Sequence, residues 1–340
     1  VSEISSGQGI DQPREVAALK PFSFTGRGAD FFRIWVVNIV LSVLTLGIYS
    51  AWAKVRTKSY FYGNSHLDNN AFAYLASPIA ILKGRLIALA FIMLSSLAID
   101  FFPLAGVLVG LLILAILPWL IARSLRFNAI NSSYRNVRFN FTGSWSGAVM
   151  SFMVWPLLGL LSLGFLVPMA LNRQQRYMVE NSSFGTSGFS FNTPVSEFYR
   201  IAVVAMAILI VGGVVAALFA GVATPLAGLL GFLVYIASFA YFRAQIFNIT
   251  YKGIGLMQHG LDARMTSWGI AWLYTTNILA MVFTLGLFYP WARVRMARYK
   301  ADSLTAQLQG SLDGFVAVET ERIGALGEEM GEMLDFDIGL

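Results

Sequence analysis

The chain has two histidines, His66 in a turn and His259 in a polar loop. Neither belongs to a His-Glu-x-x-His pair, and neither Gly-x-Ser-x-Gly nor Gly-x4-Gly-Lys-Ser/Thr occurs, so the common signatures of zinc hydrolysis, serine acyl transfer and nucleotide hydrolysis are missing. With no cysteine, disulfides, thiolate metal sites and thiol nucleophiles drop out together. The expectation is a protein that is not an enzyme and holds no metal or cofactor. A carboxylate at the bilayer midplane would suggest a proton relay, but Asp100 and Glu197 sit at the ends of apolar segments. The polar groups that do fall inside apolar runs are Asn38 with Thr45 and Asn277 with Thr284. Each pair is two helical turns apart on one face. Two readings stand: the pairs line a polar pathway, or they bond neighbouring helices at about 0.6 to 2 kcal/mol per contact. Lys83, with Arg85 beside it, and Arg200 open two apolar hairpins and are candidates for contact with anionic headgroups or with substrate.

The elements carrying these residues are membrane segments. Of the 340 residues 57% are apolar and 12% charged, with mean hydropathy +0.66. Soluble domains run at about 45–50% apolar and about 25% charged. The runs 144–172, 201–242 and 265–292 contain no charged residue, and each exceeds the roughly 20 residues that cross a bilayer. The N-terminal residues 1–20 are polar and lack the apolar core of a signal peptide. The body is basic, whereas residues 301–340 hold nine acids and one Arg. In a membrane protein such a body marks cytoplasmic loops and anionic lipid, not nucleic acid.

One pattern recurs without gaps. Arg56, Tyr60, Asn64, Ser65, Leu67, Phe72 and Tyr74 reappear 67 residues on as Arg123, Phe127, Asn131, Ser132, Tyr134, Phe139 and Phe141. A shift of 117 gives Arg173, Tyr177, Asn181, Ser182, Phe184, Phe189 and Phe191. The pattern reads as a helix face, a polar turn and a short strand alternation. Shorter copies begin at Arg243 and Arg295. A second repeat, at +239, carries Asn38, Thr45-Leu46-Gly47, Trp52, Arg56 and Tyr60 onto Asn277, Thr284-Leu285-Gly286, Trp291, Arg295 and Tyr299. A degenerate middle copy keeps Leu163-Gly164, Arg173 and Tyr177. Trp52, Arg56 and Tyr60, Arg173 and Tyr177, and Trp291, Arg295 and Tyr299 are read as interfacial anchors where helices leave the bilayer.

Apolar runs predict seven membrane segments, near 31–53, 79–99, 101–122, 145–171, 201–221, 225–242 and 268–292. Five connectors are rich in Lys and Arg, and the turns around Asp100 and Thr224 have neither, a distribution that alternating spans cannot satisfy under the positive-inside rule. Either all seven segments span and the rule is violated, or the first, fourth and seventh dip in and return, with breaks at Gly47, Gly164 and Gly286.

The motifs Phe22-Ser-Phe-Thr-Gly26, Asn38, Thr45-Leu-Gly-Ile-Tyr49, Trp52-Ala53, Arg56, Tyr60 and the closing Asp335-Phe-Asp-Ile-Gly-Leu340 resemble the YjgN family of bacterial inner-membrane proteins. The resemblance covers nearly the whole chain. It implies a multi-pass protein of the inner membrane and a membrane-associated metallopeptidase as a candidate partner, and it brings no catalytic residues with it.

The expected fold is an all-α polytopic membrane protein, with repeated helical units and small cytoplasmic β-hairpins. Its divisions are a polar segment 1–21, repeat units 22–122 and 123–242, a truncated unit 243–300 and an acidic cytoplasmic tail 301–340. Ile323, Leu326, Met330 and Met333 would form the apolar face of a tail helix docked under the basic body. Two functions compete: passive or facilitated transport of a small or amphipathic solute, and a non-catalytic scaffold or regulator binding a protein partner at the cytoplasmic face. Membrane lipids with anionic headgroups are the expected partners in either case.

Overall fold

The structure is a computed structural model that describes residues 18–101, 103–221 and 223–337, with the backbone alone at 100, 101, 103 and 325–337. It begins with β1 (Ala18–Phe24), α1 (Gly28–Leu44), α2 (Ser50–Gly63), β2 (Ser65–Leu67) and β3 (Asn70–Tyr74). Two long helices follow, α3 (Pro78–Phe101) and α4 (Pro103–Ile130), then β4 (Ser132–Tyr134) and β5 (Val137–Phe141). The helix α5 (Trp145–Val149) runs through a π-helical turn, Met150–Val154, into α6 (Trp155–Leu161). Next come α7 (Val167–Glu180), β6 (Ser182–Phe184) and β7 (Ser187–Phe191). A second long pair, α8 (Val195–Leu218) and α9 (Thr224–Lys252), precedes β8 (Ile254–Leu256) and β9 (His259–Ala263). The chain then forms α10 (Ser267–Phe283), α11 (Tyr289–Asp302), β10 (Leu304–Leu308) and α12 (Leu312–Asp337).

The all-α expectation, with its separate small hairpins, is overturned. Ten antiparallel strands close into one barrel in the order β1-β10-β9-β8-β7-β6-β5-β4-β3-β2. The physical reason is that strands of three to seven residues cannot stand as isolated hairpins in water. Each hairpin edge would expose unpaired amides. Pairing Phe72 with Tyr134, Phe139 with Phe184, Phe189 with Leu256 and Leu304 with Ala263 joins each hairpin to the next strand. β1 then seals the ring, Ala18 opposite Leu308 and Phe22 opposite Leu67. Strand β10 lies inside the segment 301–340 that was read as tail.

Apart from the end of β10 that leads into α12, every strand end joined to a helix lies at one end of this barrel, so each helical unit between strands must go out and come back. The pairs α3/α4 and α8/α9 do so with helices of 24, 28, 24 and 29 residues, or about 36–43 Å each. Among the described residues these four are long and apolar enough to cross a membrane. The pairs α1/α2 and α10/α11 return after helices of 17 and 14 residues, about 25 and 21 Å, short of a hydrocarbon core of about 30 Å. The unit α5 to α7 folds back in the same manner.

The three short hairpins turn by one device. Leu46, Leu163 and Leu285 adopt left-handed φ of 50°, 54° and 50°, and the following Gly47, Gly164 and Gly286 have φ of 91°, 94° and 88°. The glycine amide reaches back five residues, to the carbonyls of Ser42, Gly159 and Met281 at 2.7–2.8 Å, and so completes a Schellman cap. The preceding hydroxyl staples both helices. Thr45 Oγ1 donates to Leu41 O at 2.7 Å and accepts from Tyr49 N at 2.9 Å. Ser162 and Thr284 do the same. The tip leucines are 95–97% exposed, which suits immersion in lipid.

Candidate functional site: the barrel lumen

The Phe-x-Phe strands place both aromatics on the inner face, one rung apart. Phe22, Phe72, Phe139 and Phe189 point into the lumen, where they meet Leu67, Tyr134, Phe184, Leu256, Ala306 and Leu308. The second residue of each pair sits nearer the helices: Phe24 packs on Phe31 and Val294, and Phe141 on Ala148 and Tyr177. Ser23, Asn140, Ser190, Asp262 and Gln307 alternate to the outside. A barrel crossing a bilayer needs strands of about 9–11 residues and an apolar exterior; this one has neither and stands in water.

The lumen holds a half-open cavity of about 450 Å³ with almost entirely apolar walls. Met178, Val179, Tyr251 and Ile254, from the last turns of α7 and α9 and the start of β8, line it at the helical end. Leu312, Phe315 and Val316 of α12 close the other end. The chemistry available is burial of an apolar group. Among the described residues there is no cluster of three or more groups able to hold a metal.

Helix α12 is held across the turn end of the barrel by polar contacts. Glu319 is fully buried. Its carboxylate accepts from Thr186 N at 2.7 Å, Thr186 Oγ1 at 2.8 Å and Ser187 Oγ at 2.7 Å, and Arg322 Nη1 lies 3.3 Å away. Burial pushes its pKa up, but the hydrogen bonds from Ser187 and Thr186 and the Arg322 charge outweigh it and hold the group below the ordinary value. The approach requires Gly185, which has φ +59°; a Cβ there would stand 2.5 Å from Glu319 Oε2. Arg135 links Asp313 of α12 to Asp68, 3.0 Å from Nη2, and Lys20 lies 2.7 Å from the same carboxylate. The His259 ring lies edge-on to Phe315 at 4.9 Å, and its Nδ1 accepts from Gln309 N at 3.2 Å. Burial lowers its pKa.

The residues singled out by sequence lie outside the lumen, in the hairpins. Asn38 Nδ2 donates to Ala53 O and Thr57 Oγ1, both at 3.4 Å, joining α1 to α2. Asn277 Oδ1 accepts from Arg295 Nη1 at 2.6 Å, and Arg295 Nη2 donates to Thr276 Oγ1 at 3.0 Å. The hydroxyls of Tyr60, Tyr177 and Tyr299 bond the carbonyls of Arg27, Ser144 and Thr266 at 2.8, 2.8 and 3.2 Å, so each returning helix clamps the first turn of the outgoing one. Arg173 lies 5.5 Å from the Trp155 ring. Trp52 stacks on Tyr49. Trp291 packs on Phe32 at 4.9 Å and fills the space left by Gly28, joining the first and last hairpins as β1 and β10 join the barrel. Lys83 is exposed. Arg85 bonds Ser50 Oγ, and Arg200 pairs with Glu197. Of the expected tail face, Ile323 is 41% exposed, and the side chains of Leu326, Met330 and Met333 fall outside the described residues. Leu312, Phe315, Val316 and Glu319 dock instead. Sequence reasoning missed them because a lone buried acid among nine looks like its solvated neighbours. The signal was the β6–β7 turn, Gly185-Thr186-Ser187, which supplies donors where the β2–β3 turn has Asp68-Asn69.

Comparison with known proteins places this geometry in a family. The family described as "Bacterial protein of unknown function (DUF898)" matches residues 19–333. The inner membrane protein YjgN of Salmonella typhimurium is 26% identical over 360 residues, covering 88% of this chain and 91% of the relative. YjgN of Escherichia coli K12 is 26% identical over 220 residues, covering 54% of this chain and 55% of its own. YjgN of Escherichia coli O157:H7 is 32% identical over 145 residues, 42% of this chain and 36% of its own. No solved structure matches. With four apolar helices long enough to cross a membrane and a family match over most of its length, the chain belongs to the YjgN family of bacterial inner-membrane proteins.

Proposed function

We propose that this inner-membrane protein binds the apolar part of an amphipathic solute, such as a fatty acyl chain, in the barrel lumen and exchanges it with the adjoining bilayer without energy coupling. The observation that carries the reading is the cavity of about 450 Å³ with almost wholly apolar walls, a size in the usual range of ligand pockets. Its helical end lies beside the membrane-embedded hairpins, and its far end is stopped by α12. Lysines and arginines crowd the helix ends between barrel and bilayer, among them Lys54, Lys58, Arg123, Arg126, Arg293 and Lys300, so this side is the cytoplasmic one under the positive-inside rule. A fluorescent long-chain fatty acid titrated onto the full chain in nanodiscs tests the reading. Saturable binding by the wild type and its loss in Ala306→Phe, which fills the lumen, is the expected result. Equal signals from both proteins, or none from the wild type, would discard it.

A second reading, a regulator that engages a protein partner, is favoured by one observation: α12 continues past its docked turns to Asp337, with Glu321 exposed and five further acids in its sequence beyond residue 325. A cytoplasmic protein bound there would pull on the plug of the lumen.

A further inference from the structure

The two hairpins related by a shift of 239 residues differ in how their buried asparagine is bonded. In α10/α11 the oxygen of Asn277 is taken by the guanidinium of Arg295 at 2.6 Å. In α1/α2 the equivalent asparagine, Asn38, is 6% exposed, and its Oδ1 is buried with no hydrogen-bond partner. The equivalent arginine, Arg56, is exposed and does not reach it. A buried amide oxygen left without a donor costs about 1–3 kcal/mol, and the bonds made by the nitrogen of the same amide are long at 3.4 Å, so a turn of the Asn38 side chain that brings the oxygen to a donor in the adjoining cleft is favoured.

Asn38 lines an open cleft of about 550 Å³ between α1, α2 and α11. The cleft also has Lys54, Lys58 and Arg293 on its walls; the apolar side chains of Ile39 and Val43 continue from Asn38 toward the hairpin tip, and Trp35 lies one turn nearer the barrel. No carboxylate lines it. An occupant of this cleft needs three properties: negative charge for the Lys54 and Arg293 side, a hydroxyl donor for Asn38 Oδ1, and hydrocarbon for the face running toward the tip.

We propose that the α1/α2 cleft is a binding site for an anionic phospholipid with a hydroxyl-bearing headgroup, of the phosphatidylglycerol type. The phosphate lies between Lys54 and Arg293, a headgroup hydroxyl donates to Asn38 Oδ1, and an acyl chain follows Ile39 and Val43 toward the tip. The free headgroup lacks the hydrocarbon and binds at least tenfold more weakly. This site is separate from the lumen and does not depend on the lumen's role.

The test is native mass spectrometry of the full chain released from detergent with added phosphatidylglycerol, phosphatidylcholine or glycerol phosphate. Phosphatidylglycerol should remain bound, with phosphatidylcholine and glycerol phosphate at least tenfold weaker. Lys54→Gln with Arg293→Gln should lower phosphatidylglycerol affinity about tenfold, the loss of one charge-assisted contact or more, with the melting temperature of the delipidated protein unchanged. Asn38→Leu should erase the preference for phosphatidylglycerol over an anionic lipid without headgroup hydroxyls, such as phosphatidic acid. If Asn38→Leu fails to fold, Asn38→Asp serves: an acceptor-only carboxylate keeps hydroxyl recognition but repels phosphate, so affinity should fall while the preference remains. Phosphatidylcholine bound as tightly as phosphatidylglycerol, or full affinity in the doubly neutralised variant, would overturn the proposal. An Asn38→Leu protein that still prefers phosphatidylglycerol would overturn it as well.

Discussion

At Glu319 three hydrogen bonds from Thr186 and Ser187 converge on a carboxylate that water does not reach. Glu319→Ala strands those donors, and the expected loss in docking of α12 is about 2–3 kcal/mol. A nitroxide at Glu321→Cys, unambiguous in a chain without cysteine, should report the change as a rise in mobility. Acid should act in the same direction through two groups. The folded-state pKa of His259 is depressed, so its contribution is complete above about 6.5, the unfolded value, and drains away as pH falls through the folded one. The pKa of Glu319 is also depressed, so its contribution is lost only at lower pH, below an ordinary carboxylate value of about 4.3. Label mobility should therefore rise in two steps as pH falls, the upper step disappearing in His259→Phe. A single step near the carboxylate range in both proteins would remove His259 from the account.

Among the elements, the short helical hairpins are held by their turns. Gly47→Ala puts a side chain at φ +91° and is expected to cost about 1 kcal/mol or more. Thr45→Val removes a hydroxyl that serves both helices, at about 1–2 kcal/mol. Thermal unfolding in detergent should rank Gly47→Ala and Thr45→Val below the wild type and Gly84→Ala, in open space inside α3, level with it or slightly above. These turns were legible because their signal is local: a hydroxyl, a leucine and a glycine in sequence, at three places. The charge asymmetry of the connectors was legible for the same reason. Barrel closure was not. A three-residue strand such as Ser132–Tyr134 carries too little alternation to name a partner, and its neighbour Phe72–Tyr74 lies across a whole membrane hairpin. The pairing of β1 with β10 spans nearly the entire chain, and no local pattern reports it. Glu319 was hidden likewise, since its partners lie 132 and 133 residues away.

For the molecule as a whole, one closed barrel fixes the sidedness of every connector, because bonded strands cannot lie on opposite faces of a membrane. Cysteines at the exposed turn positions Asn69, Asn136 and Met257, and at exposed Gly188 beside the β6–β7 turn, should all react with an impermeant maleimide from the cytoplasm. One at exposed Thr224, the first residue of α9 and close to the end of α8, should react only from the periplasm. Reaction of Asn69 and Asn136 from opposite sides would be irreconcilable with the paired register of β3 and β4. The same closure also bears on biogenesis. The hairpins enter the bilayer one after another as the chain is made, but β1, the first strand synthesised, has to wait for β10, the last. At about 5–20 residues per second, the roughly 280 residues between Phe24 and Leu304 take about a quarter of a minute to a minute. Throughout that interval the nascent protein carries an open sheet edge and an uncovered aromatic lumen. It is then a client for whatever shields unfinished chains, and a ribosome stalled after α11 would leave an anchored protein whose barrel can never shut.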